Sequence, residues 1–403
     1  MAPKRTVDQY LSLLMEKVSP LPPRSIASSE VEFLSHLAHN AIARLSLPRF
    51  SNSGVDGYAI LAQDIHGSGP WTFLVGGDTP AGGAPVAINN GKAIRVMTGG
   101  PVPTTDRDLI VVPVELTNAP ADHSLPETIT INALPEKGNI RVRGEHVQPG
   151  DIAIPAGTAL DAGAVATLIS AGIDEVSAHP VPRVAVVTTG DEIDPDNPWG
   201  IPNSNGPMLV AELQRLGVHQ ARHIHSSDDD ATLAATLDQV SQDVDLIITV
   251  GGISAGAFDV VKSLGVTHGG FDFFPVALRP GKPQGHGTWN GTHVLCLPGN
   301  PVAAWVSFQL FVMPVIRRMA GARKVASISN LPGVMLRSNR AVVAREGTAQ
   351  ALVVRIDWAN QTAESWAHRS HMVGALAGSD GVIVVGDESV AEGDLVRVIV
   401  GRV

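Results

Sequence analysis

The hydrophobic residues of this chain follow a helical spacing in some stretches and form short runs in others. Near the N-terminus, one face of a predicted helix over residues 7–18 carries Tyr10, Leu11, Leu14, Met15 and Val18. A similar pattern predicts helices over residues 30–44, with Ser28 or Ser29 as the cap, and over residues 161–172, with Gly172 at the stop position. The start of the chain is therefore expected to be helical or extended.

Between residues 52 and 141 the pattern changes to short runs of Val, Ile and Thr that glycine and proline interrupt. Runs at residues 71–75, 93–97 and 109–114 predict strands. We therefore expect a β-rich domain over residues 51–141. It interrupts a helical or extended domain formed by residues 1–50 and 142–178.

After the stiff segment His179-Pro-Val-Pro182, strands and helices alternate. Strands are predicted at residues 184–187, 246–250 and 294–297, and helices at residues 208–216, 231–240 and 302–319. This alternation predicts an α/β domain over residues 179–322 with a doubly wound parallel sheet. Further β runs at residues 342–343, 352–356, 381–385 and 395–400 predict a small barrel over residues 323–403. The fold class is multidomain α/β.

Composition restricts the partners and the location of the protein. The formal charge of −10 over 403 residues repels nucleic acid and anionic membranes at long range, so an anionic ligand needs a local cationic pocket or a metal. The single cysteine, Cys296, excludes an intramolecular disulfide and fits a reducing compartment. Charged residues interrupt any signal peptide core, and the apolar run at residues 302–316 is shorter than a membrane span. We therefore expect a cytoplasmic protein.

Three loops bent by glycine or proline follow strand-like runs between residues 245 and 301. In open α/β sheets, loops at the carboxyl ends of parallel strands form the ligand crevice. The first loop, residues 251–259, offers a phosphate the backbone amides of Gly251, Gly252 and Gly256 and the hydroxyl of Ser254. A tight turn without any ligand is the alternative for this loop.

The other two loops offer groups that bind oxyanions. Arg279 and Lys282 flank a Pro-Gly pair and form a rigid pair of cations. The third loop consists of Pro298, Gly299, Asn300 and Pro301 and leads into a helix that begins near residue 302. Free backbone amides and the positive end of the helix dipole are therefore expected to face the same crevice. Solvated surface cations and an ordinary helix start are the alternatives.

Acidic and polar residues complete the candidate chemistry. Asp191 and Glu192 follow a buried strand, and Asp259 offers a further oxygen to a metal ion. In the β-rich domain, Asp56 and Thr98 stand in segments rich in glycine, as does the pair Arg141 and Arg143. These segments predict a second ligand-facing surface. The histidines at 219, 223, 225, 368 and 371 lack a spacing typical of metal sites, and we expect none of them to bind a metal.

The segments that carry this chemistry resemble the molybdopterin molybdenumtransferases of the MoeA type, which include the E domain of gephyrin. The resemblance spans essentially the whole chain and rests on residues 53–59, 95–103, 139–145, 188–193, 251–259, 280–283 and 297–302. It implies an elongated homodimer of four-domain subunits. Its active site is expected between the β-rich domain of one subunit and the α/β domain of the other.

The resemblance also implies roles for single residues. It associates six residues with activity: Asp56, Thr98, Arg141, Glu192, Asp228 and Asp259. Asp56, Glu192 and Asp259 are expected to hold Mg²⁺ or another divalent cation, and Arg279 and Lys282 fall at the oxyanion site. Arg355 and Ser370 are expected to reach the site from the terminal domain.

The implied reaction belongs to molybdenum cofactor biosynthesis. Molybdate is inserted into adenylylated molybdopterin, and AMP and the molybdenum cofactor are released. The molybdopterin adenylyltransferase and acceptor molybdoenzymes are the expected protein partners, whereas nucleic acid and membranes are not.

Four positions depart from the family pattern: Val55, His146, Arg279 and Ala303. His146 removes a carboxylate, Arg279 replaces a lysine, and Ala303 replaces a serine that can bond molybdate. A diverged paralogue that binds or carries the pterin with little or no turnover is therefore the alternative function. A nucleotide-hydrolysing enzyme is a third hypothesis, but it leaves the segments around Asp56 and Thr98 unexplained.

Overall fold

The computed structural model describes residues 4–194, 196–253, 259–366 and 369–401. The chain forms two compact units, each described below by itself. The larger unit consists of Met1–His39, Ala156–Ala162 and Val176–Val403, and the smaller unit of Asn40–Pro155 and Gly163–Glu175. The division into four domains predicted from the sequence stays a prediction.

Seven α-helical segments and twenty-four strands lie within the described residues. The helical segments are α1 (Val7–Lys17), α2 (Ala162–Ser170), α3 (Asn205–Arg215), α4 (Asp230–Ser241), α5 (Val260–His268), α6 (Pro301–Ser307) and α7 (Met313–Met319). The first twelve strands are β1 (Arg24–Ala27), β2 (His36–Leu37), β3 (Ala41–Ile42), β4 (Asn52–Ser53), β5 (Gly57–Leu61), β6 (Trp71–Thr79), β7 (Lys92–Val96), β8 (Leu109–Pro113), β9 (Thr128–Ile131), β10 (Ile140–Arg141), β11 (Ile152–Ile154) and β12 (Glu175–His179). The others are β13 (Val184–Thr189), β14 (Ala221–Ser226), β15 (Leu246–Val250), β16 (Phe271–Pro275), β17 (Leu278–Arg279), β18 (Pro283–Trp289), β19 (Thr292–Leu297), β20 (Gly333–Ser338), β21 (Ala349–Asp357), β22 (Thr362–Ser365), β23 (Gly381–Val385) and β24 (Leu395–Val400).

The central sheet of the larger unit has the strand order β14-β13-β15-β19-β18-β16. The first four strands are parallel, and the predicted α/β sheet is confirmed there. Strands β18 and β16 join antiparallel, so the sheet is mixed rather than wholly parallel. The parallel half is the part whose carboxyl ends meet at one edge, which makes it the part that can build a ligand crevice.

Alternate residues of the central strands pack into two different cores. On β13, Val184 and Val186 belong to a core with residues of α1, α3, α6 and α7. Ala185 and Val187 of the same strand belong to a core with residues of α4 and α5. Since successive strand residues point to opposite faces, helices cover both faces of the sheet, as a doubly wound arrangement requires.

One helical run, Pro301–Met319, is long and apolar enough by length and composition to cross a membrane, and most of it is buried inside the protein. It comprises α6 and α7 joined by a π-helical turn at Phe308–Val312. Buried residues occur all round this run. A helix that is apolar on every side fits a position in the core of a large domain.

The C-terminal part of the larger unit is a closed barrel. Strands β21-β22-β20-β24-β23 are neighbours in that order, and pairing of β21 with β23 closes the ring. The predicted terminal barrel is confirmed, although the predicted strand at residues 342–343 is only a single bridge between Val342 and Val390. Strand β17 adds in parallel to the edge of β21, which connects the Arg279 loop to the barrel.

The smaller unit contains a five-stranded sheet of order β8-β5-β7-β6-β9, and this confirms the β-rich domain. Helix α2 lies close to its predicted range, and Gly172 follows it with a φ of 69°. The helix predicted over residues 30–44 is wrong. That stretch contains β2 and β3, which pair with β12 and β11 far away in the sequence, so non-local pairing overrides the local helical spacing.

Candidate active site

A cleft of about 1470 Å³ lies at the carboxyl ends of β13, β15 and β19. Its lining includes most of the residues that the sequence selected in the larger unit: Glu192, Asp228, Gly251, Gly252, Asp259, Arg279, Lys282, Pro298, Gly299, Asn300, Pro301 and Ser370. Ser254 and Gly256 fall outside the described residues. The structure thus brings together loops that are far apart in the sequence, from Glu192 to Ser370, which is the arrangement expected of a ligand site.

Glycines allow the loops at the strand ends to lie against one another. Gly251 has a φ of 99° and Gly252 a φ of 64°, a region that favours glycine. A Cβ atom on Gly251 would stand 3.0 Å from the carbonyl oxygen of Thr189, and one on Gly299 would stand 3.4 Å from the Cα atom of Gly251. The backbone N–H of Gly251 also donates to the carbonyl of Leu297 over 3.1 Å. These contacts fix the loops that follow β13, β15 and β19.

The acidic residues of the cleft come from three neighbouring loops. The loops after β13 and β14 are joined by reciprocal bonds: the N–H of Asp228 donates to Asp191 Oδ1 over 2.9 Å, and the N–H of Asp191 donates to Asp228 Oδ2 over 3.3 Å. Burial raises the pKa of Asp228, and the negative charges of Asp191 and Glu192 raise it further. The site therefore carries negative charge that a bound cation would compensate.

The donor set fits a cation that takes only part of its ligands from the protein. Glu192, Asp228 and Asp259 line the cleft with carboxylates, the oxygen ligands that Mg²⁺ prefers. Within the part of the chain that the structure describes, no group of three His, Cys, Asp or Glu residues could hold a metal by itself. Mg²⁺ characteristically keeps several waters and binds through one or two carboxylates plus substrate phosphates, so this donor set is compatible with it.

The Arg279–Lys282 loop presents its cations from a fixed turn. The carbonyl of Lys282 accepts a bond of 2.7 Å from the N–H of Val276. Gln284 is buried and donates from Nε2 to the carbonyl of Gly281 over 2.8 Å and to Ser307 Oγ over 2.7 Å. Arg279 and Lys282 are exposed at the cleft. A fixed backbone with exposed cationic heads is suited to holding an oxyanion.

The third loop lines the cleft, but its amides are only partly available. The N–H of Val302 donates to the carbonyl of Ser370 over 3.1 Å, so the expectation of a free amide is wrong at this position. The same bond holds Ser370 at the start of α6. Asn205 Nδ2 donates to the carbonyl of Gly299 over 2.6 Å and ties this loop to α3. The loop therefore acts as a junction between α3, α6 and the segment around Ser370.

Arg355 does not lie in the cleft. It is exposed on β21, and its guanidinium donates to the carbonyls of Gly378 and Ala377 over 3.4 Å. The Cζ atom of Arg355 lies 5.8 Å from the ring centre of Trp366. Other residues that the sequence did not select line the cleft instead: Arg345, Gln350, Arg369 and His371. For Arg369, its position next to Ser370 was the one feature of the sequence that could have placed it in the cleft. A single arginine in a loop, such as Arg345, has no spacing that marks it as a site residue.

In the smaller unit, the three segments predicted to form a second ligand-facing surface do meet. Thr98 donates to Asp56 Oδ1 from its backbone N–H over 2.6 Å and from Oγ1 over 2.8 Å. These two bonds lower the pKa of Asp56, which is exposed and ionised. Arg141 lies on β10 beside β4, and the N–H of Gly54 donates to the carbonyl of Asn139 over 2.7 Å. Asp56 is thus a fixed carboxylate on the surface of this unit.

A polar network lies behind the cleft at the end of β13. Thr188 Oγ1 is 2.8 Å from His223 Nε2 and 3.2 Å from His225 Nδ1, and Asn203 Nδ2 donates to it over 2.8 Å. Asn203 lines the cleft, and its Oδ1 accepts the N–H of Gly206 at the start of α3. Burial lowers the pKa of His223, and His225 lowers it further. The two histidines thus help to position a cleft loop.

An α/β sheet whose strand ends carry glycine loops, carboxylates and exposed cations is typical of α/β proteins that bind anionic ligands in the crevice at the strand ends. Two family models match this chain: residues 5–172 match the MoeA N-terminal region (domain I and II), and residues 185–318 match a probable molybdopterin binding domain. The chain belongs to the molybdopterin molybdenumtransferase family. The predicted class of function, a transferase of molybdenum cofactor biosynthesis, is thereby confirmed.

Individual relatives support this assignment. Molybdopterin molybdenumtransferase 2 of Mycobacterium tuberculosis H37Rv is 36% identical over 332 residues, which cover 79% of this chain and 80% of the relative. The molybdopterin molybdenumtransferase of Staphylococcus aureus N315 is 30% identical over 330 residues, which cover 79% of this chain and 77% of the relative. The MoeA protein of Pyrococcus horikoshii OT3 shares the fold with a TM-score of 0.79 and 22% identity, over 99% of this chain and 100% of that chain.

Proposed function

We propose that this protein inserts molybdate into adenylylated molybdopterin and releases AMP and the molybdenum cofactor. The observation that carries the proposal is the cleft at the strand ends, which combines three carboxylates, two fixed cations and glycine-bent loops in one volume of about 1470 Å³. Both substrates are anions. In a protein with a net charge of −10, such ligands need a local site of this kind.

Arg279 and Lys282 would hold molybdate, since a guanidinium binds two oxygens of an oxyanion and an ammonium adds a point charge. Ser370 and Gln284 support this arrangement. The carbonyl of Ser370 anchors its segment on α6, and Gln284 holds the backbone of Gly281 between the two cations. Holding both substrates in one cleft replaces an encounter in solution by a reaction between oriented groups, and this orientation lowers the barrier.

One or two of the carboxylates Glu192, Asp228 and Asp259, together with phosphate oxygens of the substrate, would hold a divalent cation such as Mg²⁺. When bound, the cation neutralises charge on the phosphates of the substrate and on the departing AMP. Burial, and to a lesser degree the charges of Asp191 and Glu192, raise the pKa of Asp228, and a bound cation would favour its ionised form. His146 and Ala303, which depart from the family pattern, contribute neither a carboxylate nor a hydroxyl to this chemistry.

We further propose a homodimer in which Asp56, Thr98 and Arg141 act at the cleft of the second subunit, with Asp56 as an additional metal ligand. The two bonds from Thr98 keep Asp56 ionised and fixed, as a ligand for a cation must be. We expect the protein to work in the cytoplasm. A molybdopterin adenylyltransferase would supply its substrate, and acceptor molybdoenzymes would receive its product.

An assay of AMP release tests the proposal. Purified protein, adenylylated molybdopterin and molybdate should produce AMP and molybdenum cofactor in equal amounts, and omission of either Mg²⁺ or molybdate should suppress cofactor formation. Tight binding of the pterin without any AMP release would instead support the carrier function. The relatives named as transferases do not favour that alternative.

A further inference from the structure

Arg345 and Arg369 line the same cleft as Arg279 and Lys282, and both are exposed there. Within the described ranges, neither guanidinium has a hydrogen bond or an ion pair with another side chain. Arginines elsewhere in this acidic protein do find carboxylates, such as Asp78 for Arg95. Two unpaired guanidinium groups in a cleft are therefore available to a ligand.

The backbone around Arg345 is held in place on both sides. The N–H of Ala344 donates to Ser389 Oγ over 2.9 Å, and the N–H of Gly347 donates to Asp387 Oδ1 over 3.1 Å. The carbonyl of Arg345 accepts the N–H of Thr348 over 3.0 Å. Because the turn is fixed, less entropy is lost when the guanidinium binds a ligand.

Arg369 stands on a turn that is attached to the start of α6. The carbonyl of Arg369 accepts the N–H of Met372 over 2.9 Å, and its own N–H contacts Met372 Sδ at 3.3 Å. The next residue, Ser370, accepts the N–H of Val302 over 3.1 Å. Arg369 is thus presented beside the loop of Pro298 to Pro301, which lines the cleft.

The proposed reaction brings two separate anions into this cleft: molybdate and the phosphate groups of the adenylylated pterin. Arg279 and Lys282 lie on one loop and can serve one of these anions. The second anion needs cations of its own, and a pair of planar guanidinium groups suits the oxygens of a tetrahedral oxyanion. Arg345 and Arg369 come from the two other cationic loops of the cleft.

We propose that Arg345 and Arg369 form a second oxyanion-binding site in this cleft, separate from the Arg279–Lys282 loop. The ligand is a tetrahedral oxyanion, which is either molybdate or a phosphate group of the adenylylated pterin. The proposal rests on the proposed function for the identity of these two candidates. The site itself rests on the cleft lining and on the unpaired guanidinium groups.

The test compares R345Q, R369Q and the double variant with the control variant R323Q. Arg323 is also exposed and lies outside the cleft. For each protein, AMP release is measured at varied molybdate and at varied adenylylated molybdopterin. Each single variant should raise the half-saturating concentration of one substrate about 10-fold, since bonds to charged groups contribute at this level. The double variant should raise it further, and R323Q should leave it unchanged.

The substrate affected identifies the ligand. A rise confined to molybdate assigns the site to molybdate, and a rise confined to the adenylylated pterin assigns it to a phosphate group. Half-saturating values within twofold of R323Q for both substrates would overturn the site, provided that the melting temperatures of the variants match.

Calorimetric titration of molybdate and of AMP into the same variants separates this inference from the proposed function. It requires no turnover. If the wild-type protein binds molybdate or AMP but releases no AMP from the substrate, the proposed function is contradicted. In that case, weaker binding of the same ligand to the double variant would still support the second oxyanion-binding site. Equal binding of both ligands to all variants would overturn the site.

Discussion

Single residues decide the charge of the cleft. Asp228 is held by a reciprocal pair of bonds with Asp191, and its pKa is raised by burial and further by the negative charges of Asp191 and Glu192. Lys282 and Arg279 supply positive charge from one fixed turn in the same cleft. The site therefore separates a place suited to a cation from a place suited to an oxyanion, within a single volume.

Replacement of Lys282 by alanine should raise the molybdate concentration for half-maximal AMP release by about 10-fold, because one charge-assisted contact with the oxyanion is lost. The value for adenylylated molybdopterin should change little. K324A is a matched control, since Lys324 is exposed and lies outside the cleft. An unchanged molybdate requirement in the Lys282 variant would remove this lysine from the molybdate site.

Among the elements, β13 and the loops that follow it connect the fold to the site. Thr188 at the end of this strand contacts two histidines of β14, and Asn203 links the same hydroxyl to the start of α3. Because Asn203 Nδ2 is a donor and lies 3.2 Å from His223 Nε2, that ring nitrogen is best left unprotonated. The cleft loop before α3 therefore depends on a neutral histidine.

The stability of the protein should fall as the pH falls below about 6.5. Burial lowers the pKa of four histidines in the folded protein: His36, His223, His286 and His293. The unfolded chain therefore binds more protons than the folded one in this range, and the free energy of unfolding increases with pH until the unfolded histidines are neutral. Urea unfolding at pH 8.0, 6.5 and 5.5 measures this dependence.

His223→Gln provides the matched variant, because glutamine offers polar atoms without titrating. The pH dependence of the unfolding free energy should be weaker in this variant than in the wild type. An identical dependence in both proteins would mean that His223 is protonated equally in the folded and unfolded states, contrary to the network at Thr188.

Elements with strong local patterns were predictable from the sequence, and elements made by distant pairing were not. Strands β15, β23 and β24 lie where the sequence predicts them, because short runs rich in Val and Ile favour a strand. Residues 30–44 have a helical spacing but form β2 and β3 through distant partners. Sequence spacing does not contain that information.

The residues of the candidate site were likewise only partly predictable from the sequence. Motif residues such as Glu192, Asp259 and Lys282 line the cleft because their loops follow parallel strands. Residues 350–352 of β21 line the cleft, whereas Arg355 lies farther along the same strand, beside Gly378 and Ala377. The sequence does not show which part of this strand reaches the cleft.

For the whole molecule, the charge distribution and the family membership support the same function. The protein carries a net charge of −10, yet its cleft is lined by Arg279, Lys282, Arg345 and Arg369, so local positive charge is available to anionic substrates there. The relatives named as molybdopterin molybdenumtransferases extend over 79% of the chain. The cleft and the family assignment thus support molybdenum insertion independently of each other.

The role of the cleft in catalysis is tested most directly by AMP release from the Asp259→Ala variant beside the wild type, with D106A as a control that removes an exposed carboxylate outside the cleft. We expect turnover to fall about 100-fold or more in Asp259→Ala, because a carboxylate for the cation is lost, while the far-UV circular dichroism should stay the same. D106A should retain the wild-type rate. Turnover near that of the wild type in Asp259→Ala would contradict the cleft as the place where AMP is released.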